Sequence, residues 1–299
     1  MTAPALALEP TVRETPARRA ALERLFARIS DVSTLPTVAQ RVLGLAYDEA
    51  STATDLSDVI QTDPALVSRI LRRVNSSFYG LRYRVADLQT AINLLGYREI
   101  HNLVLSVFVS RWFERPFEHG PYSRQSLWMH SVGVALTARL VSAVTGRAKP
   151  EEAYVGGLLH DIGFILLDQH LRRHFVRVVD ELRPATPTTK VEARIFTFDH
   201  AQLGAAVAKK WRFPERITEA ILFHHEPHRY LGPNRELVYI VAIANYLCAA
   251  YGWTSLGVQN VPPPSEAIYA ALGLDGIALT IIQDELPETL EKATVMSSM

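Results

Sequence analysis

A histidine and an aspartate stand side by side inside an apolar run, at His160 and Asp161 within the segment Gly156–Gly163. Burying a carboxylate beside an imidazole costs several kcal/mol unless each group finds a partner, and a bound metal cation would satisfy both. A hydrogen bond between the two side chains, or a helix cap, would also explain an isolated pair of this kind. The pair therefore predicts a metal site only if other ligands of the same type accompany it.

Other histidines occur at inward positions or at the ends of predicted helices. His130 lies four residues before Val134 and eight before Ala138 on one helical stripe, so its side chain is expected to point inward. The candidate metal ligands are His130, His160, Asp161, His200, His224 and His225. Because this set offers nitrogen and carboxylate donors but no thiolate, it favours a first-row ion such as Fe, Mn, Ni or Zn over a cysteine-bound zinc.

Each of these histidines has a plainer explanation when it is taken alone. A single inward histidine is more often a hydrogen-bonded core residue, and the tandem pair His224–His225 at a helix end could simply stabilise the helix dipole. Six such groups on several helical segments are harder to explain as unrelated core residues. The remaining histidines lack this context and are predicted to be surface or cap residues: His101, His119, His170, His174 and His228.

The composition indicates a globular protein without a strong overall charge. The 299 residues suffice for one large or two modest domains. Lys plus Arg and Asp plus Glu both number 31, so no overall field attracts nucleic acid or an anionic membrane. The single Cys248 excludes an internal disulfide framework. Polar residues interrupt every long apolar run and no secretion signal is seen, so the sequence predicts a soluble cytoplasmic protein without a membrane partner.

Apolar residues recur at helical spacing along nearly the whole chain, and no convincing strand pattern occurs, so the predicted fold class is all-α. Residues 114–125 contain Pro116, Gly120 and Pro121 and interrupt this pattern, which marks a joint between two lobes. The first helix is expected within residues 20–29. The predicted organisation is a mobile tail over 1–17, a helical lobe over 18–118, a second lobe with a C-terminal helical extension over 119–290, and a frayed tail over 291–299.

Arginines in the first lobe raise the alternative of DNA binding. They are Arg69, Arg72, Arg73, Arg82 and Arg84, among short helices joined by tight turns. Affinity for DNA rises with each phosphate that is neutralised, but the chain up to residue 115 holds 14 Arg and no Lys against 12 Asp plus Glu. We therefore expect these arginines to form a solvated face or a partner surface, and nucleic acid is the least favoured partner.

Motifs in both lobes resemble one known family. The order of His130, His160–Asp161, His200 and His224–His225 looks like the HD superfamily of metal-dependent phosphohydrolases. The wider pattern resembles the HDOD family, the HD-related output domain of bacterial signalling proteins. The segments that carry this likeness are Leu35–Thr37, Ile60–Leu66, Val74–Tyr79, Ala91–Gly96, Trp128–Ser131, Gly157–Gly163 and His224–Pro227. The likeness covers about residues 20–250.

The resemblance implies a two-lobed helical fold with an HD-type core in the second lobe. It also implies a regulatory module of bacterial signal transduction, since HDOD domains are mostly regarded as lacking demonstrated hydrolase activity. The six candidate ligands fall on metal-ligand positions of the related HD-GYP cyclic di-GMP phosphodiesterases. One or two divalent or first-row transition-metal ions are therefore expected.

The chain departs from the hydrolytic pattern at several positions. Asn245, a further candidate pocket residue, stands where a ligating Asp is expected, and Ser126 replaces a Glu four residues before His130. Phe164 stands where a phosphate-contacting Lys is common, and no Gly-Tyr-Pro segment follows Glu226. Losing the anionic ligand weakens the hold on metal, and losing the Lys removes a cation from a phosphate pocket. Each loss is worth a few kcal/mol, which together would lower turnover by several orders of magnitude.

Three functions remain open on the sequence. The favoured one is a regulatory module that retains metal, hydrolyses poorly or not at all, and acts through signalling partners in trans or senses a nucleotide or phosphate ligand. The alternative is a metal-dependent phosphohydrolase acting on a cyclic dinucleotide or another phosphodiester. DNA binding is third. No receiver, cyclase or kinase segment is recognised in the sequence, so we expect the partner protein to be a separate chain.

Overall fold

The structure, a computed structural model, describes residues 36–46, 50–184 and 186–298. The predicted mobile tail over 1–17 and the predicted helix within 20–29 lie outside the described residues. Within them the chain is helical except for one short hairpin and the connecting segments. The predicted all-α class is therefore confirmed, with helical lobes on either side of the hairpin.

Helices α1 to α5 form the first lobe. Their bounds are α1 Thr37–Ala46, α2 Ala53–Gln61, α3 Pro64–Val74, α4 Leu88–Leu95 and α5 Tyr97–Ser110. Side chains define where three of them begin. Thr52 and Asp55 form a capping box at the start of α2, while Asp63 and Asp87 accept backbone N–H groups at the starts of α3 and α4.

A two-stranded hairpin lies where the sequence predicted a joint between the lobes. Strand β1, Glu118–His119, pairs antiparallel with β2, Tyr122–Ser123. Gly120 in the turn between them has φ +54°, a left-handed conformation that glycine adopts without steric cost. A single 3₁₀ turn, Arg111–Phe113, precedes the hairpin. The break in helical periodicity therefore reflects a hairpin rather than an irregular linker.

Helices α6 to α15 follow the hairpin. Their bounds are α6 Arg124–Thr145, α7 Pro150–Leu159, α8 Ile162–His170, α9 Arg172–Glu181, α10 Thr188–Phe196, α11 His200–Lys210, α12 Glu215–Phe223, α13 Arg235–Ala250, α14 Glu266–Ala271 and α15 Gly276–Ser297. A 3₁₀ turn, Pro227–Arg229, separates α12 from α13. The sequence predicted fraying from residue 291, whereas α15 continues to Ser297 and buries Ala293 and Met296.

Helix α6 is the centre of the second lobe. It packs against α7, α13 and α15, and it is the one described helix that is long and apolar enough, by length and composition, to cross a membrane. In its most apolar 18-residue stretch, 72% is buried inside the protein, so α6 is apolar because it is a core helix. Most of the buried apolar side chains of both lobes form one continuous cluster, from Ala39 to Met296, and Phe223, Tyr230 and Val238 form a small second cluster.

Candidate metal centre

The predicted ligand side chains converge on the carboxylate of Asp161. One oxygen, Oδ2, lies 3.5 Å from His130 Nε2 and 3.2 Å from His160 Nε2. The other oxygen, Oδ1, lies 3.1 Å from His200 Nε2 and 3.4 Å from His224 Nε2. Two groups of donor atoms that could each hold a metal ion therefore share Asp161, and the second also contains His225.

The positions of His130 and His160 show that a cation would fit between them. His130 Nδ1 lies 2.7 Å from the carbonyl oxygen of Trp253, and His160 Nδ1 lies 2.6 Å from that of Gly157. A carbonyl oxygen can only accept, so both Nδ1 atoms must donate, and each neutral ring then carries its lone pair on Nε2. These two Nε2 atoms face each other at 3.2 Å. Lone pairs so close repel unless a proton or a metal cation lies between them.

Burial favours the neutral imidazole that metal binding requires. Burial, together with a contribution from neighbouring His160, lowers the pKa of His130 to about 4. Burial likewise lowers the pKa of His224 to about 4. His224 Nδ1 lies 2.7 Å from the carbonyl oxygen of Ile221, so its Nε2 lone pair is also directed at the site, where it has no hydrogen-bond partner among the described residues.

His200 differs from the other ligands because two carboxylates flank it. Its Nδ1 lies 2.6 Å from Glu192 Oε2, and its backbone N–H donates to Glu192 Oε1 at 3.1 Å. Burial alone would lower the pKa of His200, but Glu192 and Asp161 outweigh it and raise that pKa to about 10. Burial raises the pKa of Glu192 to about 7. Metal binding at His200 would displace a proton, so it would be coupled to proton release.

His225 completes the second group. Its Nε2 lies 2.9 Å from His200 Nε2, and burial, together with the neighbouring imidazoles of His224 and His200, lowers its pKa well below the usual range. Although burial opposes ionisation, the surrounding imidazoles, His160 most strongly, lower the pKa of Asp161 well below the usual range, which keeps this carboxylate anionic. One carboxylate surrounded by five imidazoles is a chemically suitable ligand set for a first-row transition metal.

Two glycines of the central motif allow the ligand-bearing helices to approach closely. A Cβ on Gly163 would lie 2.0 Å from the backbone oxygen of His200, so only glycine lets α8 meet the start of α11. A Cβ on Gly157 would lie 2.7 Å from the backbone oxygen of Val134, where α7 crosses α6. The glycines therefore fix the separation of the helices that carry His130, His160 and His200.

A segment after α13, residues 253–261, covers the centre, and we call it the covering segment. Its Trp253 carbonyl accepts from His130, and its Ser255 hydroxyl donates to Asp161 Oδ2. Asn260 Nδ2 donates to Thr188 Oγ1 at 2.5 Å, which ties the segment to α10. The cavity beneath it has a volume of about 20 Å³, room for roughly one water molecule.

Two of the predicted departures from the hydrolytic pattern have a clear structural counterpart. The ring of Phe164 stacks on His200 with centroids 3.8 Å apart and lines the small cavity. Asn245 is 1% exposed, and neither its Nδ2 nor its Oδ1 has a hydrogen-bond partner in the described part of the chain. Asn245 does not line the small cavity, whose lining includes His130, Phe164 and His225.

The sequence did not reveal Glu192 or Ser255 as residues of this site. Glu192 is fully buried beside Val191 on α10, and a carboxylate next to a core valine was the signal that could have identified it. Ser255 lies in a loop, where no periodicity fixes its direction. The prediction that His101 is a surface or cap residue is wrong, because His101 is only 5% exposed within α5.

Comparison with known proteins supports the fold. The family profile described as the HDOD domain matches residues 32–227. An uncharacterized protein of Treponema pallidum (strain Nichols) is 26% identical over 220 residues, which is 73% of this chain and 42% of that protein. The chain therefore spans less than half the length of this curated relative.

Solved structures share the architecture over nearly the whole chain. An HDOD domain protein of unknown function from Geobacter sulfurreducens has a TM-score of 0.77 at 24% identity, covering 94% of this chain and 97% of that one. A Marinobacter aquaeolei VT8 protein provisionally assigned to signal transduction has a TM-score of 0.79 at 25% identity, covering 94% and 63%. A Shewanella amazonensis SB2B protein provisionally assigned as a phosphohydrolase has a TM-score of 0.74 at 21% identity, covering 93% and 97%. At 24% and 21% identity, the first and third show a shared fold alone.

Proposed function

This chain belongs to the HDOD family, and on that premise we propose that it is a regulatory signalling module that holds metal in its second lobe and has poor or no hydrolase activity. The observation that carries the proposal is that the space next to the metal ligands is too small for a substrate. Five histidine side chains meet around Asp161, yet the cavity above them is about 20 Å³. Known small-molecule sites are more than ten times larger, at roughly 300 to 1,000 Å³.

The lining of the cavity also argues against efficient phosphoryl chemistry. A bound metal would lower the pKa of a water molecule and neutralise phosphoryl oxygens. The protein must then supply space for the phosphodiester and further positive charge. In the part of the chain that the structure describes, neither Lys nor Arg lines the cavity, and Phe164 occupies the position where the family resemblance expects Lys.

In this proposal the metal is a structural or sensing element. His130 is hydrogen-bonded to the covering segment at the Trp253 carbonyl, and Asp161 is hydrogen-bonded to it at the Ser255 hydroxyl. Occupancy of the centre would therefore affect the position of residues 253–261 on the surface. A separate signalling protein in the bacterial cytoplasm would recognise that surface, which makes metal binding a signal that a partner can detect.

A metal-dependent phosphohydrolase acting on a cyclic dinucleotide or a simpler phosphodiester is the second candidate. The observation that favours it is the arrangement of Asp161, whose two oxygens face two different groups of imidazoles. A carboxylate placed between two metal positions suits the two-metal clamp of hydrolytic phosphodiester cleavage. Opening of the covering segment would be required before substrate could enter.

Metal analysis combined with turnover assays separates the two candidates. The purified protein is analysed for Fe, Mn, Ni and Zn, and then assayed with bis(p-nitrophenyl) phosphate and cyclic di-GMP in the presence of each metal. The proposal expects metal in the wild type, loss of metal in His160→Ala, and equal background turnover in both. His119→Ala is the matched control, because His119 lies outside the centre and pairs with Asp180. Turnover that His160→Ala abolishes and His119→Ala retains would establish the hydrolase instead.

A further inference from the structure

Three arginines lie on one face of α3, far along the chain from the metal ligands. Arg69, Arg72 and Arg73 are related as i, i+3 and i+4, so their side chains emerge from neighbouring positions. Like charges at these spacings repel each other. Arg69 has an acidic partner, Glu114, with Nη1 2.8 Å from Oε1. In the described chain no ion pair involves Arg72 or Arg73, so the face carries a net charge of about +2.

Arg73 is the most unusual member of this face. The sequence predicted that Arg73 belongs to a solvated face or a partner surface, but it is only 6% exposed. Its Nη1 donates to the carbonyl oxygen of Met296 at 2.7 Å, and within residues 36–46, 50–184 and 186–298 no carboxylate pairs with it. Taking a guanidinium out of water without a counter-charge is strongly unfavourable. A buried cation of this kind is therefore expected to face an anion.

A cavity of about 450 Å³ lies against these guanidinium groups, and we call it the arginine pocket. Ser110, Gln125 and Ser297 contribute polar groups to its lining, and Phe113 and Trp128 contribute aromatic rings. Glu114, the partner of Arg69, also lines the pocket, so among the described residues the unpaired positive charge comes from Arg72 and Arg73. The two rings contact each other with centroids 5.1 Å apart. The volume falls within the range of small-molecule sites, and the lining combines positive charge, hydrogen-bonding groups and an aromatic wall.

This combination defines the chemistry of the missing ligand. Guanidinium groups bind phosphate oxygens through paired, charge-assisted hydrogen bonds, and aromatic rings provide a stacking surface for a planar base. We infer that the arginine pocket binds a small phosphate-bearing molecule with a planar ring, of about the size of a nucleoside monophosphate. A cavity of about 450 Å³ holds a molecule of this size but not a strand of nucleic acid or a folded protein surface.

The position of the pocket gives such a ligand a regulatory role. Arg69, Arg72 and Arg73 belong to the first lobe, whereas Gln125 and Trp128 belong to α6 and Ser297 to α15. A ligand held by these groups would neutralise the face of α3 and stabilise its contact with the end of α15. The inference rests on the regulatory role proposed above, and it adds to that role a ligand that binds away from the metal centre.

Isothermal titration calorimetry on the full chain tests the inference at fixed ionic strength. The probes are AMP, GMP, adenosine and inorganic phosphate. We expect AMP or GMP to bind at one site per chain, adenosine to fail, and inorganic phosphate to bind more weakly than the nucleotide. Arg72→Gln removes an exposed arginine that makes no described ion pair, so the protein should fold, and we expect the affinity to fall by about tenfold or more. Arg82→Gln, an arginine outside the pocket, is the matched control.

The metal centre must be separated from the arginine pocket in the same experiment. His225→Ala alters the proposed metal ligands but not the pocket, so it should keep the wild-type affinity for the nucleotide. The inference is overturned if none of the phosphate-bearing probes binds, or if Arg72→Gln binds as the wild type does. Binding lost in His225→Ala and kept in Arg72→Gln would place the anion at the metal centre and also overturn it. Failure here leaves the proposal of a metal-holding regulator intact, because that proposal is tested by metal content and turnover.

Discussion

Ser255 donates its hydroxyl hydrogen bond to Oδ2 of Asp161, 94 residues earlier in the chain. The acceptor is the oxygen that also faces His130 and His160. The covering segment is therefore hydrogen-bonded directly to the carboxylate at the centre of the candidate metal site. The covering segment and the metal ligands form one hydrogen-bonded unit. A displacement of the segment should therefore alter metal binding, and metal binding should alter the position of the segment.

Replacing Ser255 with Ala should make the metal easier to remove. The substitution deletes a hydrogen bond to a charged group, so we expect the free energy of unfolding to fall by about 2 kcal/mol. Because the covering segment is then held less firmly, metal loss to a chelator should become several-fold faster. Stopped-flow measurement with a coloured chelator gives the rate directly. Thr254→Ala is the control, since Thr254 lines the same cavity and makes no described side-chain hydrogen bond; equal rates for both variants would contradict the prediction.

Replacing Gly163 with Ala should displace the metal ligand His200 and so disrupt the metal centre. The added methyl group would lie 2.0 Å from the backbone oxygen of His200, so α8 and α11 must separate. We expect a loss of about 3 kcal/mol of unfolding free energy, at the upper end for an overpacked core, together with reduced metal content. Urea unfolding and elemental analysis check the two effects.

The control for this prediction is a glycine with open space around it. Gly44→Ala lies within α1, where an added Cβ would meet no atom of the described residues within 4 Å. Because alanine has a higher helix propensity, this variant should be stabilised by up to about 1 kcal/mol. A Gly163→Ala protein with wild-type stability and metal content would show that the helices can separate without consequence.

Particular residues show how far the sequence determines this site. His130, His160 and Asp161 were predicted to converge because a helical stripe and a buried dipeptide fix their directions. Glu192 and Ser255 could not be predicted, because their roles depend on which helix and which loop pack against the ligands. His101 and Arg73 were placed at the surface by their polar character, yet both are buried. Periodicity gives the direction of a side chain on its helix, but not which other elements cover it.

The burial of His101 should produce a measurable pH dependence of stability. Burial lowers the pKa of His101 from 6.5 to about 4. Between these values the unfolded chain binds the proton and the folded chain does not, so stability is complete above about pH 6.5 and falls as the pH decreases toward 4. The full effect is about 3 kcal/mol. Urea unfolding from pH 7 to pH 5 should show a shallower decline in His101→Gln than in the wild type, while His228→Gln, which replaces an exposed histidine, should follow the wild type.

Neutralising Glu192 should weaken metal binding without removing any metal ligand. Glu192 accepts from His200 Nδ1 at 2.6 Å, which holds the ring with Nε2 toward Asp161. Glu192→Gln keeps an acceptor of the same size but removes the negative charge that makes His200 a stronger donor to a cation. Loss of such a supporting carboxylate typically reduces metal affinity by about 10- to 100-fold. Competition with a chelator of known affinity, using the metal found in the purified protein, measures the change. Glu181→Gln breaks only an exposed pair with Arg194 and should leave the affinity unchanged; the same affinity in both variants would mean that Glu192 does not support the ligand.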